Sequence, residues 1–356
     1  MNRTFTPELD ADVLARLQDY ADLFREDFNR ERQAGWCGVY LAGLLQDGER
    51  KSIEPMSRRV VMPEGLRVAD PDQALQQFVS ASTWDEQALW RRYRALMAGG
   101  FADPAGVFVL DDTTFPKAGT HSVGVRRQYC GALGKKANCQ AAVSLHYVGA
   151  RGHAPLCLRL FLPESWLEAP ARLDKAGVPA EQRRALTKGE IALELFDQVR
   201  AENVLPGGVM LGDAGYGVSG PLRAGLAARG THYILGVTGD MVVFTEAPRW
   251  REPSPGRKGR PRSRPRLAAD SARALSLRQV AAQTPLSKVT WRAGTKGPMS
   301  RRFAWLRVWP AHDWVAGKCA GEDPVWLLIE EEPDGSIRHA FSNLPANTSR
   351  LAAVRL

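Results

Sequence analysis

Two short apolar segments that each run into aspartate constrain this sequence most. The first, residues 107–110, leads into Asp111 and Asp112, and the second, residues 209–212, leads into Asp213. Apolar runs of this length are typical of buried strands. Because the carboxyl ends of neighbouring parallel strands meet at one edge of a sheet, we expect an acidic site there.

Of the two aspartates after the first run, we expect Asp112 to face the site, since successive strand residues point to opposite faces. Thr113 and Thr114 follow and are placed to brace it. Asp111 is then expected to bond to nearby backbone. A second interpretation stays open, because an aspartate at a strand end also serves as a helix cap or a turn residue.

The order of predicted elements indicates an α/β fold. Strands are predicted over 107–111, 139–148 and 155–163, followed by a helix over 187–204 and by strands at 209–213 and 232–237. Strands that alternate with helices imply parallel neighbours in a mixed sheet. Three strands in a meander, followed by crossover strands, are the order of a ribonuclease-H-like fold.

Residues 1–104 are predicted to form an all-helical N-terminal domain, because apolar residues recur there at helical spacing. The predicted helices cover 10–30, 36–46, 70–82 and 83–100. A capping-box pattern, Thr83 with Glu86, marks the start of the last one. The domain is either a packed helical bundle or a DNA-contacting domain. The arginines that would face DNA are Arg91, Arg92 and Arg94.

The net charge of +9 and the pI near 9.5 favour polyanionic partners, nucleic acid above all. Residues 249–266 hold eight Lys and Arg against one acid, together with several prolines, and so are not expected to pack as a regular element. The segment is a solvated linker or, as we favour, a phosphate-contacting arm. Its candidate contacts are Arg257, Lys258, Arg260, Arg262 and Arg264.

Other basic residues lie close to the predicted acidic edge. Lys117 follows the first aspartates and is either a phosphate contact or a plain surface lysine. Four more are candidate DNA contacts, or else the charged surface of a solvated hairpin. They are Arg126, Arg127, Lys135 and Lys136.

Two hard carboxylate ligands held together, Asp112 and Asp213, suit Mg²⁺ or Mn²⁺, ions that also bind substrate phosphates. A pair of such ions supports in-line displacement at phosphorus. The five cysteines include no CxxC pair, and the Cys and His residues between 121 and 153 fit no common zinc spacing. The expected metal is therefore magnesium or manganese.

Four stretches resemble the bacterial insertion-sequence transposases with a DDE catalytic domain, and more narrowly the DDE superfamily endonucleases. They are DDTTFPKAG (111–119), residues 121–145, LGDAGYG (211–217) and residues 294–308. The resemblance implies a ribonuclease-H-like core over 105–240 and a basic arm with a β-rich insertion over 241–345. It further implies Mg²⁺-dependent cleavage and transfer of DNA strands, with Asp112 and Asp213 as the first two catalytic acids.

The third acid of that family is a glutamate in the pattern Tyr-x2-Arg-x3-Glu-x6-Lys, which no residue here fills. We therefore expect residues 346–356 to begin the missing catalytic helix and the chain to be truncated before the third acid. Glu330, Glu331 and Glu332 precede a Pro-Asp-Gly turn and are expected to be solvent-facing. A catalytically deficient remnant that keeps DNA binding, or a nuclease of RNA–DNA hybrids, are the alternatives.

The resemblance also implies the partners. They are double-stranded DNA at the element ends and at the target, and a second copy of the chain in a dimer on DNA. The N-terminus is charged and lacks an apolar signal segment, and no apolar run approaches the roughly 20 residues that a membrane span needs. We expect a cytoplasmic, nucleoid-associated protein without a membrane partner.

Overall fold

The computed structural model describes residues 11–251, 265–295, 297–311 and 323–356. The chain forms two compact units, one up to Leu96 and one from Met97. The first unit is helical, around a core that includes Trp36, Leu75 and Phe78. Its helices, the last of which extends into the second unit, are α1 (Ala11–Asp22), α2 (Glu31–Leu45), α3 (Ile53–Ser57), α4 (Pro71–Ser80) and α5 (Glu86–Phe101).

The predicted capping box at the start of α5 is wrong. The helix begins at Glu86, and the Asp85 carboxylate accepts a hydrogen bond from the Gln87 amide at 2.8 Å. The Thr83 carbonyl instead accepts a hydrogen bond from the Asn29 side chain at 3.1 Å. Aspartate thus supplies the acceptor at this helix start.

The arginines of α5 do not form the exposed face that the DNA-contacting interpretation requires. Arg94 is fully buried, and Arg92 forms ion pairs with Asp27 and Glu26 within the same unit. Arg91 lies 3.5 Å from Asp85. These arginines are engaged within the helical unit, so the packed-bundle interpretation fits them better than a DNA-contacting face.

The second unit is a mixed α/β structure. Its strands are β1 (Val107–Pro116), β2 (Arg126–Cys130), β3 (Lys135–Gly149), β4 (Gly152–Leu160), β5 (Val209–Gly212), β6 (His232–Val237), β7 (Val242–Phe244), β8 (Trp250–Arg251), β9 (Arg266–Leu267), β10 (Leu275–Ser276), β11 (Ser287–Gly294), β12 (Gly297–Pro310), β13 (Val325–Glu331) and β14 (Ile337–Ser342). Its helices are α6 (Glu164–Leu167), α7 (Pro170–Lys175), α8 (Lys188–Ala201), α9 (Ala214–Gly217), α10 (Gly220–Ala228), α11 (Leu277–Gln283) and α12 (Arg350–Val354).

One large sheet organises this unit, with the strand order β10-β7-β12-β13-β14-β6-β5-β1-β3-β2. In addition, β4 pairs with β3, β11 pairs with β12, and β8 and β9 form a separate ribbon. β1 is antiparallel to β3 and parallel to β5, which is itself parallel to β6. This arrangement confirms the predicted ribonuclease-H-like α/β fold.

The main core lies between this sheet and α8. Phe108 and Leu110 of β1 and Val143 of β3 are buried with Leu195 and Phe196 of α8. The rings of Phe108 and Phe196 meet edge to face at a centroid distance of 5.2 Å. β1 residues with even numbers therefore face α8, and the alternation of a strand carries this pattern on to Asp112.

The segments predicted as a β-rich insertion extend the same sheet. β14 pairs with β6, and β13 and β12 follow outward from β14. The predicted turn at Pro333–Gly335 is present, since the Glu332 amide donates to the Ser336 carbonyl at 2.8 Å and Gly335 has a φ of 81°. No helix in the described ranges is long and apolar enough to cross a membrane.

Two glycines let α9 approach β6. A Cβ added to Gly217 would collide with the carbonyl oxygen of Gly236, and a Cβ added to Gly236 would lie 2.9 Å from the Ala214 amide nitrogen. Backbone therefore packs against backbone directly behind Asp213, and no larger residue fits there.

We expect Gly217→Ala to lower the free energy of unfolding by about 1–3 kcal/mol, because the added methyl group forces backbone apart. Gly208→Ala is the matched control, since a Cβ at Gly208 meets nothing within 4 Å. Urea unfolding followed by circular dichroism measures both. Equal stability of the two variants would contradict this packing.

Candidate active site

The register of β1 against β5 brings three aspartates to one edge of the sheet. Leu110 is the last residue of β1 that pairs with β5, and its partner is Gly212. Asp111 and Asp213 are the next residues on these two parallel strands, and Asp112 follows Asp111. The carboxyl edge of these strands is therefore acidic, as the sequence predicts.

The prediction that the first strand ends at residue 111 is wrong. β1 continues to Pro116, because its antiparallel ladder with β3 runs on to the Pro116–Cys139 pair after the pairing with β5 has stopped. Asp112 thus lies inside a strand that is paired on one edge only. Its cross-strand partner is the core residue Val143.

The Asp112 carboxylate has two protein partners. One oxygen accepts a hydrogen bond from the Tyr216 hydroxyl at 2.7 Å, and the other forms an ion pair with the Lys188 ammonium. The carboxylate is 31% exposed and the Lys188 side chain 37%. The Lys188 ammonium therefore lies against the proposed metal ligand, Asp112, at a position that solvent reaches.

Tyr216 links the two proposed acids. It belongs to α9, the short helix for which Asp213 is the N-cap, and its hydroxyl reaches across to Asp112. Burial, first, and then the negative charge of Asp112 raise the pKa of Tyr216 well above its ordinary value, with smaller contributions from Asp213 and Asp111. The phenol therefore remains protonated and acts as a hydrogen-bond donor to Asp112.

Asp213 is exposed and directly follows β5. One carboxylate oxygen accepts a hydrogen bond from the Gly215 amide at 2.9 Å, so this aspartate does serve as a helix cap. The second oxygen forms none of the hydrogen bonds seen in the described residues. The cap orients the carboxylate at the sheet edge and leaves it open to a further ligand.

Asp111 behaves as the sequence analysis expects. Its side chain is exposed and accepts a hydrogen bond from the Asp112 amide at 2.7 Å. Its backbone carbonyl accepts a hydrogen bond from the Ser144 hydroxyl at 3.0 Å. It is nonetheless level with Asp213 in the sheet register, which makes it the alternative partner for Asp213.

Sequence reasoning missed Lys188 and Tyr216. A signal for the lysine was present: Thr187 and Glu190 form a complete capping box, which fixes the start of α8 and makes Lys188 its first residue. No sequence pattern predicts that α8 begins beside Asp112, because the contact between Lys188 and Asp112 joins residues that are 76 positions apart. Tyr216 lies within the GDAGYG stretch but carries no spacing signal of its own.

A groove of about 1370 Å³ opens on the sheet beside Asp213. Its floor includes Leu211, Ile234 and Leu328, and α11 and α12 contribute to its walls. The lining is mostly apolar, with Arg278 and Glu330 among the charged residues. The acidic edge is therefore accessible from this side as well as from the side of Lys188.

The three glutamates at the end of β13, Glu330, Glu331 and Glu332, do not all face solvent, contrary to the expectation from the sequence. Glu330 and Glu332 both pair with Arg301, and Glu332, whose side chain is 10% exposed, also pairs with Arg338 at 2.8 Å. Glu331 pairs with Arg302 at 2.9 Å. Each carboxylate is neutralised by an arginine, so the expectation that none of them joins the acidic site still fits.

The predicted DNA-contacting residues fall into two sets. Lys117, Arg126, Arg127, Lys135 and Lys136 are all exposed. The candidate arm residues lie outside the described residues: they are Arg257, Lys258, Arg260, Arg262 and Arg264. Four residues of the first set lie on the β2–β3 hairpin, and the fifth, Lys117, directly follows β1.

Within the described ranges, no group of three or more His, Cys, Asp or Glu side chains is arranged to hold a metal ion. The acidic edge offers carboxylates in smaller number. Mg²⁺ is often bound by only one or two carboxylates together with waters and substrate phosphates. Asp112 and Asp213 therefore have the right donor chemistry for that ion.

Two comparisons with known proteins agree with this geometry. Residues 23–298 match the family described as DDE superfamily endonuclease. The chain is also similar to a protein of Microchaete diplosiphon named probable transposase for insertion sequence element IS701, at 27% identity over 238 residues. That alignment covers 64% of this chain and 57% of the relative, so the chain matches little more than half of that protein.

We expect the Tyr216–Asp112 hydrogen bond to stabilise the second unit. Tyr216→Phe should lower the free energy of unfolding by about 1–2 kcal/mol, since the bond has a charged acceptor that is partly open to water. A double-mutant cycle with Asp112→Ala, followed by urea unfolding, isolates the pair. Strictly additive effects of the two substitutions would show that the bond does not form.

Proposed function

The chain belongs to the DDE superfamily endonucleases, and on that basis we propose that it is a transposase. It cleaves and rejoins DNA strands at the ends of an insertion sequence by two-metal phosphoryl transfer. The name of the Microchaete diplosiphon relative supports the link to an insertion sequence. The net charge of +9 suits a DNA substrate.

The observation that carries the proposal is the shared sheet edge of β1 and β5. The Leu110–Gly212 pair ends the parallel ladder, and Asp112 and Asp213 both follow within two residues of it. Tyr216, from the helix that Asp213 caps, donates to Asp112. This connection supports the choice of Asp112 over Asp111 as the partner of Asp213.

The residues present fit a divalent cation. Their donors are hard carboxylate oxygens, and the ammonium of Lys188 against Asp112 marks the place as one that attracts positive charge. Asp112 and Asp213 would hold Mg²⁺ or Mn²⁺. When bound, such ions lower the pKa of an attacking water or hydroxyl and stabilise the leaving oxygen.

The chain's own residues have distinct proposed tasks. Tyr216 orients the Asp112 carboxylate through its hydroxyl, and the amide of Gly215 orients Asp213. Lys188 neutralises Asp112 while no other cation is bound there, and then becomes available to a phosphate oxygen. Lys117 and the basic residues of the β2–β3 hairpin hold the DNA backbone near the acids.

We also propose that the chain forms a dimer on DNA, because joining two element ends requires both ends to be held together.

The alternative function is DNA binding without cleavage. It is favoured by one observation: both oxygens of Asp112 are already engaged, one by Lys188 and the other by Tyr216.

We expect Asp112→Asn and Asp213→Asn each to reduce Mn²⁺-dependent nicking of element-end DNA by at least about a hundredfold, because each removes a metal ligand. Asp47→Asn, at an exposed position of the helical unit, is the control. Nicking that survives both substitutions would overturn the proposed site. If Asp111→Asn abolishes nicking and Asp112→Asn spares it, the ligand from β1 is Asp111 and the function stands.

We expect Lys188→Met to tighten Mn²⁺ binding by about tenfold, because the ion no longer competes with an ammonium for Asp112. Lys188→Arg, which keeps the charge, should bind Mn²⁺ as the unchanged chain does. Electron paramagnetic resonance of free Mn²⁺ during a titration measures both. Weaker or unchanged binding by Lys188→Met would mean that Asp112 does not bind the ion.

A further inference from the structure

The hairpin of β2 and β3 presents an aromatic ring between basic side chains. The side chain of Tyr129 is 64% exposed, and Lys136 is its direct cross-strand partner. Arg127 precedes Tyr129 by two residues and therefore lies on the same face of the hairpin. We call Arg127, Tyr129 and Lys136 the outer face of the hairpin.

The opposite face of the hairpin is packed. Cys130 and Cys139 are fully buried there, and the side chain of Gln128 donates to the Cys139 carbonyl at 3.0 Å. Side chains alternate between faces along each strand, so the outer face is directed away from these contacts. Within the described part of the chain, no ion pair engages Arg127 or Lys136. The outer face is therefore available to a polyanion.

The hairpin is fixed to the strand that carries the aspartates. The Asn138 side chain donates to the carbonyls of Lys117 and Gly119, each at 2.8 Å. At the tip, the Ala132 amide donates to the Thr114 hydroxyl at 3.2 Å. Thr114 is two residues beyond Asp112. The outer face is thus held at a fixed position relative to the proposed catalytic edge.

The cross-strand partners of Tyr129 and Asp112 are Lys136 and Val143, seven residues apart on β3. The hairpin nevertheless folds back toward β1, because the Ala132 amide and the Cys130 thiol both contact the Thr114 hydroxyl, two residues beyond Asp112. The outer face therefore belongs to an element that packs against the strand that carries the aspartates, close enough to contact DNA that flanks the reacting phosphate.

A solvent-exposed tyrosine between two cations has the composition of a single-strand binding surface. Every base has a π-face that stacks on an aromatic ring, while lysine and arginine neutralise the adjoining phosphates. A duplex offers phosphates to the cations but no free base face to Tyr129. An unpaired segment beside a cleaved element end would supply the ligand that this surface fits.

We propose that the outer face of the β2–β3 hairpin binds single-stranded DNA that flanks the cleavage site, with an unpaired base stacked on Tyr129. The inference rests on the proposed function for the origin of the unpaired bases. It assigns Arg127 and Lys136 to the phosphates of that strand. It also separates them from Arg126 and Lys135, which lie on the other face of the hairpin.

The test measures fluorescence anisotropy of two labelled probes in EDTA, a 15-nucleotide oligothymidine and a 20-base-pair duplex. We expect Tyr129→Ala to weaken binding of oligothymidine about tenfold, as expected for the loss of one stacked base, and to change binding of the duplex less than twofold. Tyr129→Phe should bind as the unchanged chain does. Tyr129→Leu, which keeps an apolar side chain without the π-system, should behave like Tyr129→Ala.

Salt dependence with the oligothymidine probe tests the two cations of the outer face. Arg127→Gln and Lys136→Gln should each lower the slope of log affinity against log salt concentration by roughly one. Lys175→Gln, at an exposed position of α7, is the control and should leave the slope unchanged.

Two results would overturn the inference. One is oligothymidine binding by Tyr129→Ala and Tyr129→Leu that equals binding by the unchanged chain. The other is an equal loss of affinity for both probes. Neither result bears on cleavage, because EDTA removes divalent metal; failure of the proposed function would instead appear as nicking that survives Asp112→Asn and Asp213→Asn.

Discussion

The parallel backbone ladder between β1 and β5 is the constraint on which the rest of this site depends. Its last pair, Leu110 with Gly212, sets how far each aspartate extends past the sheet. A shift of one residue would turn Asp112 from the α8 face to the opposite face. The core side chains of Phe108 and Leu110 against α8 hold the register, so burial in the core decides the geometry of the acids.

Three local features around that ladder fix the positions of Lys188, Asp213 and Tyr216. The capping box at Thr187 starts α8 beside Asp112, the cap at Asp213 starts α9, and the close approach of Gly217 to Gly236 seats α9 on β6. Tyr216 then reaches Asp112 from α9. The acids are thus positioned by backbone and helix starts, and Asp213 keeps a carboxylate oxygen that a cation can approach.

Much of this arrangement was predictable from local pattern. β6 spans the predicted residues 232–237, and β5 ends directly before Asp213, because both are short apolar runs whose ends coincide with polar residues. β1 was predicted too short, since residues 111–114 are polar and only the long-range ladder with β3 keeps them extended. The pairing of β14 with β6 was missed for the same reason: sequence alternation predicts a strand but does not identify its neighbour. The position of Lys188 at the site was not predicted, because its ion pair with Asp112 depends on the complete fold.

We propose that the sheet edge next to the Leu110–Gly212 pair is a metal site. Anomalous diffraction from crystals of the chain soaked in Mn²⁺ would locate the ion. We expect an anomalous peak about 2.0–2.2 Å from carboxylate oxygens of Asp112 and Asp213, with the Lys188 ammonium displaced from Asp112. Peaks only elsewhere, with the contact between Lys188 and Asp112 intact, would contradict it.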